Sequence, residues 1–352
     1  MNQDSPITIS QLKAITPGGW TASRFLAQVD SIFEKTTKDG KPFREIHLVD
    51  VGDKCVIRIW SDASEYLLSA SLSSGQLIEI TSEIMTGGAF GPEFRRWKWR
   101  ELTPEERSIF LVGSEEIWQK READWTFLSS AIAQLEDPRL ARVCSLFLED
   151  HQARFQRTAA ARSYHHARRG GLLEHTSQMM KAALALATVY PQLNRDLLVA
   201  GVLFHDSGKM WENAVSEESF SVNYTEAGEL MGHITLGIEL LNLTWRKMRE
   251  AGELDAWAKL KPASEQVRLH LIHLIASHHG THEYGSPVVP KTPEAFVLHY
   301  VDNLDAKLES LRTGYAQNPL VAPRIHERSR PLNVNLIDPL PVFSSTPEES
   351  KN

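Results

Sequence analysis

A chain of 352 residues with 42% hydrophobic residues and a formal net charge of -7 suggests two domains and argues against a general nucleic-acid coat protein, though not against a local basic path. No apolar run of about 18 residues occurs, so no membrane span is expected, and the start MNQDSPITIS lacks the basic-then-apolar pattern of a signal peptide. The only cysteines, Cys55 and Cys144, form no CxxC pair, which excludes a disulfide framework or thiolate zinc site and suits a reducing cytoplasm.

The first hundred residues read as β structure. Residues 21–33 alternate in part, and Lys38-Asp39-Gly40-Lys41 carries the Asp-Gly hairpin signal. Strands are predicted over 45–51, 55–60, 76–84 and 95–100, with a short helix or loop over 62–70. Five short strands interrupted by a helix after the third suggest a small OB-type barrel over residues 1–105, suited to single-stranded nucleic acid. Arg95-Arg96-Trp97-Lys98-Trp99-Arg100 interleaves charge with rings that could stack bases. Trp97 and Trp99 share one strand face, however, which favours a place in the core.

From Thr103 the pattern turns helical. Thr103-Pro104-Glu105-Glu106 supplies a cap, Pro at the first helical position and acids in the first turn. Helices are predicted over 137–160, 172–189, 196–204, 226–249, 265–277 and 293–315, an all-α domain spanning 106–318. The whole is thus an α+β multidomain chain. Pro319, Pro323, Pro331, Pro339, Pro341 and Pro347 mark residues 319–352 as an extended or disordered tail.

Most of the 14 histidines lie between His165 and His299, a clustering that points to metal ligation or acid–base chemistry. His205-Asp206 ends an apolar helix and is followed by Ser207-Gly208-Lys209. Neighbours on a regular helix diverge by about 100°, so both reach one cation more easily if the helix stops there, and Gly208 supplies an ending. Imidazole and carboxylate together suit Mn²⁺, Fe²⁺, Ni²⁺ or Zn²⁺. Lys209 reads either as a phosphate contact or proton donor, or as a solvated helix-end lysine. His270 and His273 sit among Leu269, Leu271, Ile272 and Leu274 and read as structural.

The ordered pattern of His175, His205-Asp206 and a distant Asp302 resembles the HD superfamily of metal-dependent phosphohydrolases. The resemblance assigns the metal to His175, His205, Asp206 and Asp302, the last in preference to Asp305 one turn on. His233, His278 and His279 match additional histidines of members with two metals, and His299 falls beside the ligands rather than among them. The segments GGLLEHT, HDSGK, GELMGHI, SHHGTHEYGSPVVPKTPEA and LHYVDNLDAK further resemble the YhaM-type 3′-to-5′ exoribonucleases, which also carry an OB-type domain ahead of the HD domain. The resemblance implies a 3′-to-5′ exoribonuclease that releases nucleoside monophosphates from single-stranded RNA, with single-stranded DNA as the other candidate. Asp206, Lys209 and His233 would serve catalysis. The cofactor implied is one or two divalent ions, Mn²⁺ first, with Fe²⁺, Ni²⁺ or Mg²⁺ as alternatives, and a homo-oligomer stays open. The alternative is an HD-type nucleotide or cyclic-nucleotide phosphohydrolase with a regulatory N-terminal domain.

Residues 151–170 hold Arg154, Arg157, Arg162, Arg168 and Arg169, with His165 and His166 and no acid. This run leads into the helix of His175 and reads as a basic approach for a polyphosphate. Arg168, Arg169 and Lys209 would bind substrate, and His166 rather than His165 would face it. Gly170-Gly171 would permit close backbone approach to a helix start with free N–H groups.

Overall fold

The computed structural model describes residues 6–15, 18–86, 92–161, 166–214, 216, 218–220 and 223–341. A short helix, α1 (Ile9–Lys13), opens the chain and is held by a reciprocal capping box between Thr8 and Gln11. Strands β1 (Thr21–Thr36), β2 (Pro42–Val49) and β3 (Lys54–Trp60) come next, then α2 (Glu65–Leu68), β4 (Leu77–Met85) and β5 (Glu93–Glu101). The strands form one antiparallel sheet in the order β3-β2-β1-β4-β5. β1 is long enough to serve two partners. Its first half pairs with β4 and its second with β2, and the register breaks between Val29 and Ser31. Such an irregularity bends a strand and lets a sheet curl.

The inward side of the curl is apolar, with Phe25, Val29, Ile46, Leu48, Ile57, Ile78 and Ile80 in one cluster. Trp97 lies in that cluster at 2% exposure and Trp99 packs against it. The aromatic strand β5 is therefore core rather than a stacking platform at Trp97. Three of its four cations are also engaged. Arg95 and Arg96 pair with Glu83, and Arg100 pairs with Glu79 and Glu106.

The helical part comprises α3 (Pro104–Val112), α4 (Glu115–Ala133), α5 (Pro138–Arg157), α6 (Gly171–Val189), α7 (Arg195–Phe204), α8 (Lys209–Glu212), α9 (Glu226–Glu250), α10 (Glu253–Ala256), α11 (Ser264–Ser277) and α12 (Pro293–Gln317). Thr103 and Glu106 form the expected capping box at α3. α4 has no counterpart among the helices predicted from sequence. Leu128, Ala131 and Ile132 are buried only along its second half, so no apolar stripe runs its length. One core gathers α4 to α7, α9, α11 and α12, with Phe147, Phe155, Phe204 and Trp245 among its largest members.

The tail departs from expectation. Strands β6 (Leu320–Ala322), β7 (Ile325–Ser329) and β8 (Val334–Ile337) form a three-stranded antiparallel sheet, where proline density predicts an extended tail. Pro323 and Pro331 occupy the turns between these strands, positions a proline tolerates without removing a ladder hydrogen bond. Leu336 is buried on Gly314 of α12, where a Cβ would come within 2.4 Å of the leucine. Pro347 lies outside the described residues.

The two parts meet at Gln28. Its buried amide donates to Ser219 Oγ at 2.7 Å and accepts the Phe220 N–H at 2.6 Å, while Phe220 packs edge-on to Phe110 at 5.1 Å. A buried N–H left without an acceptor costs about 1–3 kcal/mol. Gln28→Ala should lower stability by that order in a urea melt and speed amide exchange at Phe220. Unchanged exchange there would show that the junction is held by other contacts.

Candidate metal centre

Five separate segments bring the polar cluster together. His175 lies just past the first turn of α6, which is capped by Gly170 (φ 80°). Gly171 admits no side chain, because a Cβ would stand 2.0 Å from the His166 carbonyl oxygen. His205 and Asp206 come directly after the last residue of α7, so the helix ends just where their side chains must converge, and His205 Nε2 lies 3.3 Å from Asp206 Oδ2. Gly208 is not that ending. It has ordinary helical angles at the start of α8, and what it provides is space: a Cβ would meet the His233 carbonyl oxygen at 1.9 Å. His233 comes after a break in α9 at Gly232 (φ 67°, ψ 162°). His278 caps α11, His279 comes next, and Asp302 and Asp305 lie one turn apart on α12.

The imidazoles share one arrangement. Nδ1 of His205, His278 and His279 meets the backbone oxygens of Val202, Ile275 and Tyr284 at 2.7–2.8 Å. Nδ1 of His175 meets Asp305 Oδ2 at 2.7 Å, and Nδ1 of His233 meets Glu212 Oε1 at 3.1 Å. These oxygens can only accept, so each Nδ1 carries the proton and each Nε2 is turned to the middle as a donor atom.

His175 Nε2 lies 3.3 Å from His205 Nε2, 3.4 Å from Asp302 Oδ1 and 3.6 Å from Asp206 Oδ2. On the other side, Asp206 Oδ1 faces His233 Nε2 at 3.5 Å and His278 Nε2 at 3.7 Å. The donor atoms of His233, His278 and His279 lie within 4.8 Å of one another. Asp206 Oδ1, His233 Nε2 and His278 Nε2 are buried without any hydrogen-bond partner, a costly state for polar atoms. The donors fit divalent ions, whose bonds of about 2.0–2.2 Å set neighbouring ligand atoms roughly 3–3.5 Å apart. Asp206 presents one oxygen to each side of the cluster.

The electrostatics agree. Burial opposes ionisation of Asp206, but Lys209 and His205 hold its carboxyl well below the usual range. Asp302 is lowered in the same way, chiefly by His175. Burial and neighbouring imidazoles push His278 far down, keeping it neutral. His175 is also buried, yet hydrogen bonds to Asp302 and Asp305 push it up to about 9. Its second proton sits on Nε2 at neutral pH, and a metal takes that proton's place. Lys209 is buried with Nζ 2.6 Å from Asp206 Oδ2, so it is not a solvated helix-end lysine.

The basic approach takes a different form from the one expected. His166 is fully buried at φ 49°, with Nε2 2.9 Å from Asp305 Oδ2, which removes it from direct contact with substrate. Asp305 thus receives both His166 and His175. Arg168 bridges Glu174 and Glu309 at 2.5 and 2.7 Å, acids supplied by α6 and α12 rather than by its own segment. Arg169 donates to the carbonyls of Ser216 and Ser219. The start of α6 is also engaged, since the N–H groups of Gly171 and Leu172 donate to Arg168 O and Thr158 O. Arg162 and His165 lie outside the described residues. His299 Nδ1 meets His278 O at 2.8 Å and His273 Nε2 accepts from Lys291 N, both structural. Glu212 carries no signal in the sequence, because it stands 21 residues from the histidine it orients. Asp305 carries one, its single-turn spacing from Asp302.

The HD domain family profile matches residues 172–307, the stretch that holds His175, His205, Asp206, His233, His278, His279 and Asp302. Three bacterial proteins named 3′-5′ exoribonuclease YhaM align with the chain. The one from Geobacillus sp. (strain WCH70) is 36% identical over 289 residues, 80% of this chain and 82% of that protein. The one from Oceanobacillus iheyensis is 30% identical over 277 residues, 78% and 81% respectively. The chain belongs to the YhaM family of HD-domain proteins. With the relative from Bacillus subtilis (strain 168) the identity is 39% over 184 residues, 52% of this chain and about half, 54%, of that protein. An NMR structure of the replication factor A related protein from Methanobacterium thermoautotrophicum aligns with 30% of this chain and 97% of its own, at 19% identity and a TM-score of 0.22, too low to carry an argument about fold. Membership of an HD family brings divalent-metal binding with it. No helix among the described residues is long and apolar enough to cross a membrane.

Asp305→Ala leaves His175 without the acceptor that fixes its ring, so metal affinity should fall about 10–100-fold. Metal content after dialysis reads this, and undiminished content would show that His175 is oriented without Asp305. A second expectation concerns acid stability. Burial raises Glu309, but hydrogen bonds from Arg312 and Arg168 bring it down from 4.5 to about 2. A lowered carboxyl stabilises the fold fully above its unfolded pKa and loses that contribution on the way down. Stability should therefore fall between pH 4.5 and about 2, and Glu309→Gln should flatten that part of the acid melt; equal slopes would remove Glu309 from the account.

Proposed function

We propose that the chain is a metal-dependent 3′-to-5′ exoribonuclease that releases nucleoside monophosphates from single-stranded RNA. The observation that carries this reading is the convergence of four imidazole Nε2 atoms, those of His175, His205, His233 and His278, on the two oxygens of Asp206, beside His279, Asp302 and the buried ammonium of Lys209. The names of the aligned relatives support the reaction, and their alignments of more than four-fifths of their length support extending it to both parts of this chain.

His175, His205, Asp206 and Asp302 would hold one ion, and Asp206, His233, His278 and His279 a second. Bound divalent ions supply Lewis acidity, acidify water and neutralise charge on a phosphoryl group. The mixed imidazole and carboxylate donors favour Mn²⁺ over Mg²⁺, which prefers oxygen. Lys209 neutralises charge beside the phosphoryl group. Glu212 orients His233, whose Nε2 can hold an ion or move a proton next to Asp206 Oδ1. Residues 1–105 would act as an OB-type barrel closed around the apolar cluster of β1 to β5, holding the strand that the helical domain, 106–318, trims. The strands β6 to β8 of the 319–352 segment would brace that domain rather than bind RNA.

The test is 5′-labelled single-stranded RNA against single-stranded DNA, free nucleotides and cyclic nucleotides, each with Mn²⁺. One-nucleotide laddering of RNA is expected, and Asp206→Ala should reduce it at least about 100-fold with unchanged circular dichroism. Turnover confined to free or cyclic nucleotides would overturn the RNA assignment, and full turnover by Asp206→Ala would overturn the site.

A further inference from the structure

Between the β2–β3 turn and helices α4, α6 and α12 lies a cavity of about 460 Å³, a size common for small-ligand sites. We infer that this cavity is a binding site for a phosphate ester of nucleotide size, separate from the metal centre. The inference stands whether or not the exoribonuclease reading does.

Charge is the first argument. The chain as a whole carries -7, but the cavity wall is cationic. Lys120, Arg121, Arg168, Arg169 and Arg312 line it against Asp124, Glu174 and Glu309. Asp124 is already bound to Ser177 and to Lys181, which lies outside the lining. Leaving aside Arg169, which is engaged by the Ser216 and Ser219 carbonyls, four cations face two carboxylates, a local excess of two. Glu174 is shared by Lys120 and Arg168, and Glu309 by Arg168 and Arg312.

Arg121 is the second argument. Its guanidinium donates to two backbone carbonyls, Val112 O at 3.1 Å and Arg169 O at 2.6 Å, and makes no ion pair among the described residues. A largely enclosed guanidinium without a carboxylate is unusual, because its charge is then offset only by dipoles. Gly170 keeps it in place: a Cβ there would stand 2.7 Å from Arg121 Nε. An anion entering the cavity would meet a donor fork suited to phosphate.

The third argument is the rest of the wall. Val51, Ile117 and Leu308 face the same space, giving an apolar surface that inorganic phosphate alone would not use but a nucleobase would. The site is separate from the metal ligands. His166 and Asp305 stand between, with His166 Nδ1 3.4 Å from Arg168 and Nε2 on Asp305.

The test uses full-length Asp206→Ala protein, so that added RNA is not degraded. Calorimetric titrations with inorganic phosphate, adenosine 5′-monophosphate, adenosine and a single-stranded RNA hexamer are compared. Saturable binding of the monophosphate is expected, tighter than phosphate and absent for adenosine. Arg121→Gln should weaken it about tenfold, the loss of one charge-assisted contact. Lys120→Gln, on a more than half-exposed side chain that can be changed without disturbing packing, should weaken it in the same direction. Displacement of the monophosphate by the hexamer would identify the RNA backbone as the source of the phosphate, and no displacement a free nucleotide; both support the site. No saturable binding of monophosphate or phosphate would overturn the proposal, as would binding that both substitutions leave unchanged.

Discussion

Everything around the polar cluster depends on where the imidazole protons sit. Five histidines give Nδ1–H to a fixed oxygen, three of them to backbone carbonyls within five residues. That choice is made locally, by the ends of α7 and α11, before any ion or substrate enters. It turns the Nε2 atoms toward one another and toward Asp206, so that lone pairs meet a carboxylate in a low-dielectric interior wherever no proton sits between them. A metal ion relieves this. Helix ends here are therefore chemical devices, since an end is where a carbonyl lacks an intrahelical partner and can take a side-chain proton.

Glycine governs how closely these ends approach. Gly171 against His166, Gly208 against His233 and Gly280 against the His299 ring all leave no room for a Cβ. Each sits within four residues of one of the clustered histidines. At Gly171 and Gly208 the missing side chain lets backbone pack on backbone, and at Gly280 it lets the His299 ring pack on backbone. The break at Gly232 acts differently. It frees the His233 N–H, which Glu212 captures at 2.9 Å, so one carboxylate oxygen fixes both the backbone and the ring of that residue.

Linear signals are legible in the sequence, and through-space ones are not. The strands of the N-terminal sheet are readable because alternation and an Asp-Gly turn are local properties. The ligand segments are readable because each is a short run with a distinctive order. α4 is hidden because its buried apolar positions fall only in its second half, while Ile117 and Trp118 stand among charged residues without a repeating apolar stripe. The tail misleads because proline density is the same for a disordered segment and for tight turns between short strands. Arg168 and Arg169 look free because no acid occurs within their own segment. Their partners arrive from α6, α12 and the loop before α9, and only tertiary structure brings these together.

α12 draws these threads into one element. Asp302, Asp305 and Glu309 stand on it at single-turn intervals, and all three are ionised. Stacked like charges on one helical face repel, so this segment is a poor helix by itself. Its partners, His175, His166 and Arg168, come from a stretch more than 120 residues earlier. The consequence concerns the order of assembly. The ladder of carboxylates cannot settle into its groove until residues 166–175 are in place to receive it, and loops of that length close slowly. α12, the last long helix among the described residues, is then also the latch of the fold, and the polar cluster is completed only when two stretches distant in the chain have found each other.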